Sequence, residues 1–325
     1  MNDFKVVKYS AANYTEWNAF VSNAKNGTFL FHRDFMEYHQ DRFEDFSLLI
    51  YSKNKLIALL PANIADGTVY SHQGLTYGGL LLDANIKFKA TLILFQTVLK
   101  YFDNEGVNTF EIKIIPSIYV KQPNDELLYL MFLLQAKLLK RDSLSVLNLR
   151  DRPKVSSDRI AGQKRGVKQG LTINEVDELD SFWNEILVKN LQKKYQAQPV
   201  HSLKEITKLK SEFPNNIRQF NVYKDDVIVA GTTIFETDQV AHSQYISGNE
   251  EKNILGSLDF LHLHLIETVF KDKMYFDFGI SNENKGLKVN QGLQYWKEGF
   301  GARMVTQDFY EVKTQNYNLL NDVLI

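Results

Sequence analysis

The stretch Tyr275–Gly301, YFDFGISNENKGLKVNQGLQYWKEGFG, decides more about the fold than any other. It starts in a short β-rich run, Met274–Phe278, in which aromatic side chains alternate around Asp277. A polar, glycine-bearing loop follows. A helix is predicted over roughly 291–298, and Gly299-Phe300-Gly301 ends it, as glycine just past a helix commonly does. The next strand covers 302–310. This order puts polar side chains at the C-terminal end of a strand, where α/β proteins build their sites.

Upstream of this stretch, the pattern occurs twice. In the second half, the strand Gln219–Tyr223 is followed by a turn at 224–226, the strand Val227–Glu236, a third short strand from Val240, and an apolar helix over about 257–270. In the first half, the strand Phe46–Tyr51 is followed by a turn at 52–55, the strand Leu56–Ala65, a third strand from Val69, a helix over about 87–102, and the β-rich run Phe110–Ile115. Helical periods alternating with short strand patterns predict a mixed α/β sheet, and a repeat this long predicts a duplicated domain. The expectation is an α/β (α+β mixed sheet) protein of two tandem domains, 1–150 and 151–325. Between them lies RDRPKVSSDRIAGQKRGVKQG (150–170), with seven Lys/Arg against two Asp. It reads either as a solvated linker or a helix end at a domain boundary, or as a basic wall for a phosphorylated ligand.

Of 325 residues, 44% are hydrophobic and 13% aromatic, enough to build two cores. Lys and Arg number 38 against 39 Asp and Glu, so no global charge draws the chain to DNA or to an anionic membrane. The absence of cysteine excludes a disulfide scaffold, thiolate zinc sites and a cysteine nucleophile. No run of about 18 apolar residues predicts a transmembrane segment. The N-terminal residues lack the apolar core of a secretory signal, which predicts a cytoplasmic protein. No His, Asp and Glu share metal-ligand spacing, so no metal is expected. Nucleophile-elbow, Walker and dinucleotide signatures are absent.

Tyr295-Trp-Lys-Glu-Gly-Phe300 resembles an element of the acyl-CoA N-acyltransferase (GNAT) superfamily, in which a tyrosine lies four residues before Gly-Phe on the last helix. The wider pattern from Phe276 to Arg303 resembles the Fem-like and BioF2-like branch, which carries two GNAT folds in one chain. The resemblance implies tandem GNAT-like domains, with the donor site in the second. It implies that Tyr295 protonates the departing CoA thiolate and that Lys297 lines the reaction channel. Asn290 stands five residues before the tyrosine, where the superfamily usually places an asparagine seven before. The loop Gly248–Ser257 occupies the place of the CoA pyrophosphate loop. Its helix N-terminus suits an anion, with Asn253, Gly256 and Ser257 as the contacts. Glu250 and Glu251 depart from that pattern by adding negative charge. Backbone N–H groups near Gln244, Tyr245 and Ile246 would polarise the acyl carbonyl.

Histidine titrates near neutrality, which makes His242 a candidate base for an amine nucleophile, with Glu283 as the other candidate. His72 and Tyr77 in the glycine-rich loop 71–79, His201 before a helix, and Asp277 at a strand end are the substrate-binding candidates. Each histidine alone is more commonly a packing residue, as Tyr295, Trp296 and Lys297 each are on a helix surface, and it is the ordered set of strand, loop, helix, Gly-Phe-Gly and strand around Tyr295 that argues for chemistry. The function expected is transfer of an acyl group from acetyl-CoA or another acyl-CoA to a primary amine. The resemblance implies an acceptor such as an amino sugar or a peptidoglycan precursor. Two alternatives stand beside it: a Fem-like transferase using aminoacyl-tRNA, the only reading with a nucleic-acid partner, and a non-catalytic binding protein that kept the fold.

Overall fold

The computed structural model describes residues 4–325. They form two compact units. The first runs to Asp142 and takes back Thr306–Ile325, and the second is Ser143–Val305.

The first unit contains β1 (Phe4–Lys8), α1 (Tyr14–Asn23), α2 (Arg33–Met36), β2 (Glu44–Asp45), β3 (Leu48–Ser52), β4 (Lys55–Leu60), β5 (Asn63–Ala65), β6 (Thr68–Tyr70), β7 (Leu81–Leu82), α3 (Phe88–Asn104), β8 (Thr109–Lys113) and α4 (Glu126–Leu133). The chain leaves this unit within β9 (Lys137–Asn148). Strands β1, β3, β4 and β7 make one antiparallel sheet, while β8, β6, β5 and β2 lie in another, with β6 and β8 parallel. The single strand expected over 56–65 is therefore two, and the break is at Pro61. Proline offers no N–H to a ladder, so the chain turns there and changes sheet. Helix α3 buries Leu92, Phe95, Val98, Leu99 and Phe102 against Phe110, Ile112 and Leu60, as its helical spacing demands.

The second unit continues with α5 (Ser157–Lys168), β10 (Thr172–Val176), α6 (Val188–Tyr195), α7 (Leu203–Glu212), β11 (Ile217–Lys224), β12 (Val227–Glu236), β13 (Val240–Gly248), α8 (Lys252–Leu255), α9 (Ser257–His264), β14 (Tyr275–Ile280), β15 (Asn282–Glu283), β16 (Lys288–Val289) and α10 (Gln291–Glu298). Strand β17 (Arg303–Lys313) carries the chain back, and its residues 309–313 pair with β8. The sheet of the second unit runs β10-β11-β12-β13-β14-β9 and is antiparallel except where β13 meets β14. The turns of the two predicted hairpins match in conformation. Lys53-Asn54 and Asp225-Asp226 are all left-handed, 172 residues apart, the form that suits the twist of a two-residue hairpin.

Of the readings of the basic segment 150–170, the helical one holds, since helix α5 covers Ser157–Lys168. Ser156 caps α5 by accepting the Arg159 N–H. Two glycines four residues apart leave one face of α5 bare. A Cβ on Gly162 would lie 1.8 Å from the Asp259 carboxylate, and one on Gly166 would lie 2.6 Å from Phe260. These positions must stay glycine for α5 to lie on α9 at all.

Candidate functional site

Parallel pairing of β13 with β14 covers only Val240–His242 against Tyr275–Asp277. On its other edge, β14 pairs with β9 from Tyr275 to Ile280, with a bulge between Asp277 and Ile280. Gly279 makes the bend with φ +68, a conformation that costs other residues about 1 kcal/mol or more. Three polar side chains meet at this parting of the strands. Asp277 is 0% exposed. One of its oxygens bonds His242 Nδ1 at 2.9 Å, and the other accepts the Gly279 N–H at 2.7 Å. A carboxylate can only accept, so His242 donates from Nδ1, and in the neutral ring Nε2 is then the lone-pair acceptor. From α10, Lys297 donates to the carbonyls of Gly279 (3.0 Å) and Ile280 (2.6 Å). It is 2% exposed. Burial pulls its pKa down to about 8, while the Asp277 charge works the other way.

A pocket of about 690 Å³ opens in the same unit, along the end of β13 and the faces of α5, α6, α9 and α10. Four cations line it, Arg159, Arg165, Lys194 and Lys252, against one acid, Asp259. Asp259 accepts from Arg159 (2.7 Å) and from the Trp296 indole N–H (2.8 Å). Burial raises its pKa, and those two donors oppose the rise. The pKa of Lys252 is lowered, first by burial and then by the nearby charge of Lys194. Two ammonium groups held together in this way form a natural seat for an anion.

The sequence-predicted residues fall into three groups. His242, Asp277 and Lys297 converge, although the sequence offered them for three different roles. Ile246, Asn253 and Tyr295 line the pocket. Tyr295 is 60% exposed, and its hydroxyl donates to Asp158 at 2.8 Å, which raises its pKa. The remaining candidates lie elsewhere. Gln244 is the extra residue at the β12–β13 bulge, and its side-chain oxygen is buried without a hydrogen-bond partner. The Tyr245 hydroxyl bonds His201 Nδ1 at 2.6 Å, and its ring packs edge-on against Trp183. Burial pushes the Tyr245 hydroxyl up to about 12. Gly256 is left-handed, and a Cβ there would meet the Gly162 carbonyl at 2.1 Å, while Ser257 is fully buried. The small residues of this loop therefore serve the packing of α5. Glu283 is exposed on the β15–β16 hairpin. In the first unit, His72 and Tyr77 are both buried, and the Tyr77 hydroxyl bonds Thr28.

The pocket cations were absent from the sequence-based set of site residues. For Arg159, Arg165 and Lys194 the signal was present in the basic runs 150–170 and 189–194, while Lys252 stands outside both. Choosing among those residues required knowing which face of α5 is bare glycine. Among the described residues, no three His, Cys, Asp or Glu gather as a metal site. Among them too, no helix is long and apolar enough to cross a membrane.

No protein-family model matches the sequence, and no curated protein matches it. Solved structures do. FemX superposes with a TM-score of 0.68 at 10% identity, over 98% of this chain and 99% of that one. The C-terminal domain of a putative lysylphosphatidylglycerol synthetase from Agrobacterium fabrum gives 0.60 at 12% identity, over 95% and 94%. A tandem GNAT protein from the clavulanic acid biosynthesis pathway gives 0.50 at 12% identity, over 96% and 99%.

Proposed function

From the tandem GNAT-like fold of the Fem branch, which this chain has, we propose that the protein is an N-acyltransferase passing an activated acyl group to a primary amine. The observation that carries this reading is His242, fixed by the fully buried Asp277 at the parting of β13 and β14. Its free Nε2 takes a proton from the attacking ammonium, directly or through one water. The amine nitrogen then bonds to the acyl carbon and gives up its second proton to solvent as the amide forms, the bond from that carbon to the carrier breaks, and the carrier leaves with a proton from a donor that solvent reprotonates. Tyr295 is the proposed donor of that proton. Its bond to Asp158 keeps the hydroxyl protonated well above neutral pH. Lys297 holds the Gly279–Ile280 bend in place and sets a positive charge beside Asp277.

The four-cation pocket supports a phosphate-bearing carrier, and acyl-CoA is the first one to test. One observation favours the second reading, a charged tRNA: helix α5 packs over Gly256, and Ser257 is fully buried, which closes the cradle where a pyrophosphate would meet the start of α9. An amino sugar or another cell-envelope precursor in the cytoplasm is the acceptor class proposed. The test is acyl transfer from radiolabelled acetyl-CoA, and from aminoacyl-tRNA, to a panel of amino sugars, with His242→Gln beside the wild type. The variant is expected to lose about 10²–10⁴-fold in turnover while still binding the donor. Wild-type turnover in His242→Gln would refute the base. Transfer from the tRNA donor alone would decide for the second reading.

A further inference from the structure

The first unit holds a second pocket, of about 460 Å³, beside α2 and the loop after β6. It is built differently from the basic pocket. Glu37, Asp41, Glu44 and Asp45 line it against a single cation, Arg33. That cation is already engaged. Its guanidinium donates to Glu37 at 2.8 Å and also to Asp45, and it lies 3.7 Å from the centre of the Tyr9 ring. Asp41 and Glu44 stand exposed at the rim.

The inner wall is aromatic. His39 and His72 stack with ring centroids 5.2 Å apart, and Phe43 packs against both, at 4.9 and 5.5 Å. His72 is 4% exposed, lines the pocket, and its Nδ1 has no hydrogen-bond partner. The fold commits itself to this placement. His72 takes a left-handed φ of +64. Lys113 donates to the carbonyls of His72, Gln73 and Leu75, which clamps the loop. Gly74 must be glycine, because a Cβ there would lie 2.1 Å from His39 Nε2. Burial, followed by the neighbouring charges of His39, Lys113 and Arg33, keeps the His72 ring neutral. Leaving a buried ring nitrogen unpartnered carries a desolvation cost, an arrangement that makes sense if a ligand supplies the partner.

We infer that this pocket binds a primary ammonium group carried on a short apolar body. The rim carboxylates Asp41 and Glu44 attract the charge. The ring of Phe43 offers its face to the cation. Nδ1 of His72 accepts a hydrogen bond from the ammonium N–H, and Met36 and Phe43 receive the carbon chain. The inference concerns the first unit alone and stands whether or not the second unit transfers an acyl group.

The test is calorimetric titration of the full chain with n-pentylamine, using 1-pentanol as the uncharged control of the same length. Saturable binding of the amine and none of the alcohol is expected. The double variant Asp41→Asn/Glu44→Gln changes only exposed side chains and should raise the Kd about five- to tenfold. His72→Phe keeps a stacked ring and removes the acceptor, and it should abolish binding with the melting temperature retained. Three results would each overturn the inference: no saturable binding of the amine, equal binding of pentanol, or an unchanged Kd in the carboxylate variant. If His72→Phe does not fold, the carboxylate variant decides.

Discussion

His262 makes the acid stability of the second unit calculable. It is fully buried on α9, with Phe276, Phe278, Trp296 and Phe300 around its ring at centroid distances of 6.2, 5.4, 5.2 and 6.0 Å. Nδ1 donates to the Leu258 carbonyl at 2.8 Å, and Nε2 has no partner. Burial lowers its pKa from 6.5 to about 4. Between those two values the unfolded chain holds a proton that the folded chain rejects. Stability therefore falls as pH falls from 6.5, by about 1.4 kcal/mol per unit and about 3 kcal/mol in all, and this contribution levels off below about pH 4. His262→Phe fills the same aromatic cage and cannot titrate. Urea unfolding of both proteins at pH 7.0, 5.5 and 4.5 measures the difference. The wild type should lose about 2 kcal/mol more than the variant between pH 7.0 and 4.5. Parallel pH profiles would refute the assignment of a neutral, proton-rejecting His262.

Two further variants separate packing from chemistry. Gly256→Ala forces a side chain into the Gly162 carbonyl at a left-handed position. It should cost about 2 kcal/mol or more, read as a lower thermal midpoint; an unchanged midpoint would show that α5 does not rest on that glycine. Tyr295→Phe removes an exposed hydroxyl bonded only to Asp158 among its described partners. It should leave the thermal midpoint where it is and lower the turnover of acyl transfer, and full turnover would remove Tyr295 from the proton path.

The mixed α/β fold and the duplicated order of elements were legible because short-range chemistry writes them. Apolar residues at helical spacing mark α3, and a polar pair between alternating runs marks each hairpin, down to the left-handed residues at 53–54 and 225–226. The short helix Gln291–Glu298 before Gly299 was readable for the same reason. Pro61 showed that a local signal can be present and still be passed over. The site was less legible, because it depends on long-range register. His242 faces Asp277 only because β13 and β14 run parallel with a particular alignment across an intervening helix. Lys297 reaches Gly279 only because β14 bulges there. Neither fact leaves a mark in sequence spacing. Gly256 is the instructive case: a Cβ there would meet the Gly162 carbonyl at 2.1 Å, a contact between distant parts of the chain that sequence spacing does not show.

The return of the chain to its first unit has a consequence for biosynthesis. Val312 and Leu320 belong to the core that surrounds Phe110, and residues 309–313 cover an edge of β8. On the ribosome, that core waits, with one strand edge exposed, until the last part of the sequence emerges, while Ser143–Val305 is already synthesised. The order of completion is therefore the reverse of the order of synthesis, and a nascent chain stalled before residue 306 displays an unpaired edge open to other strands.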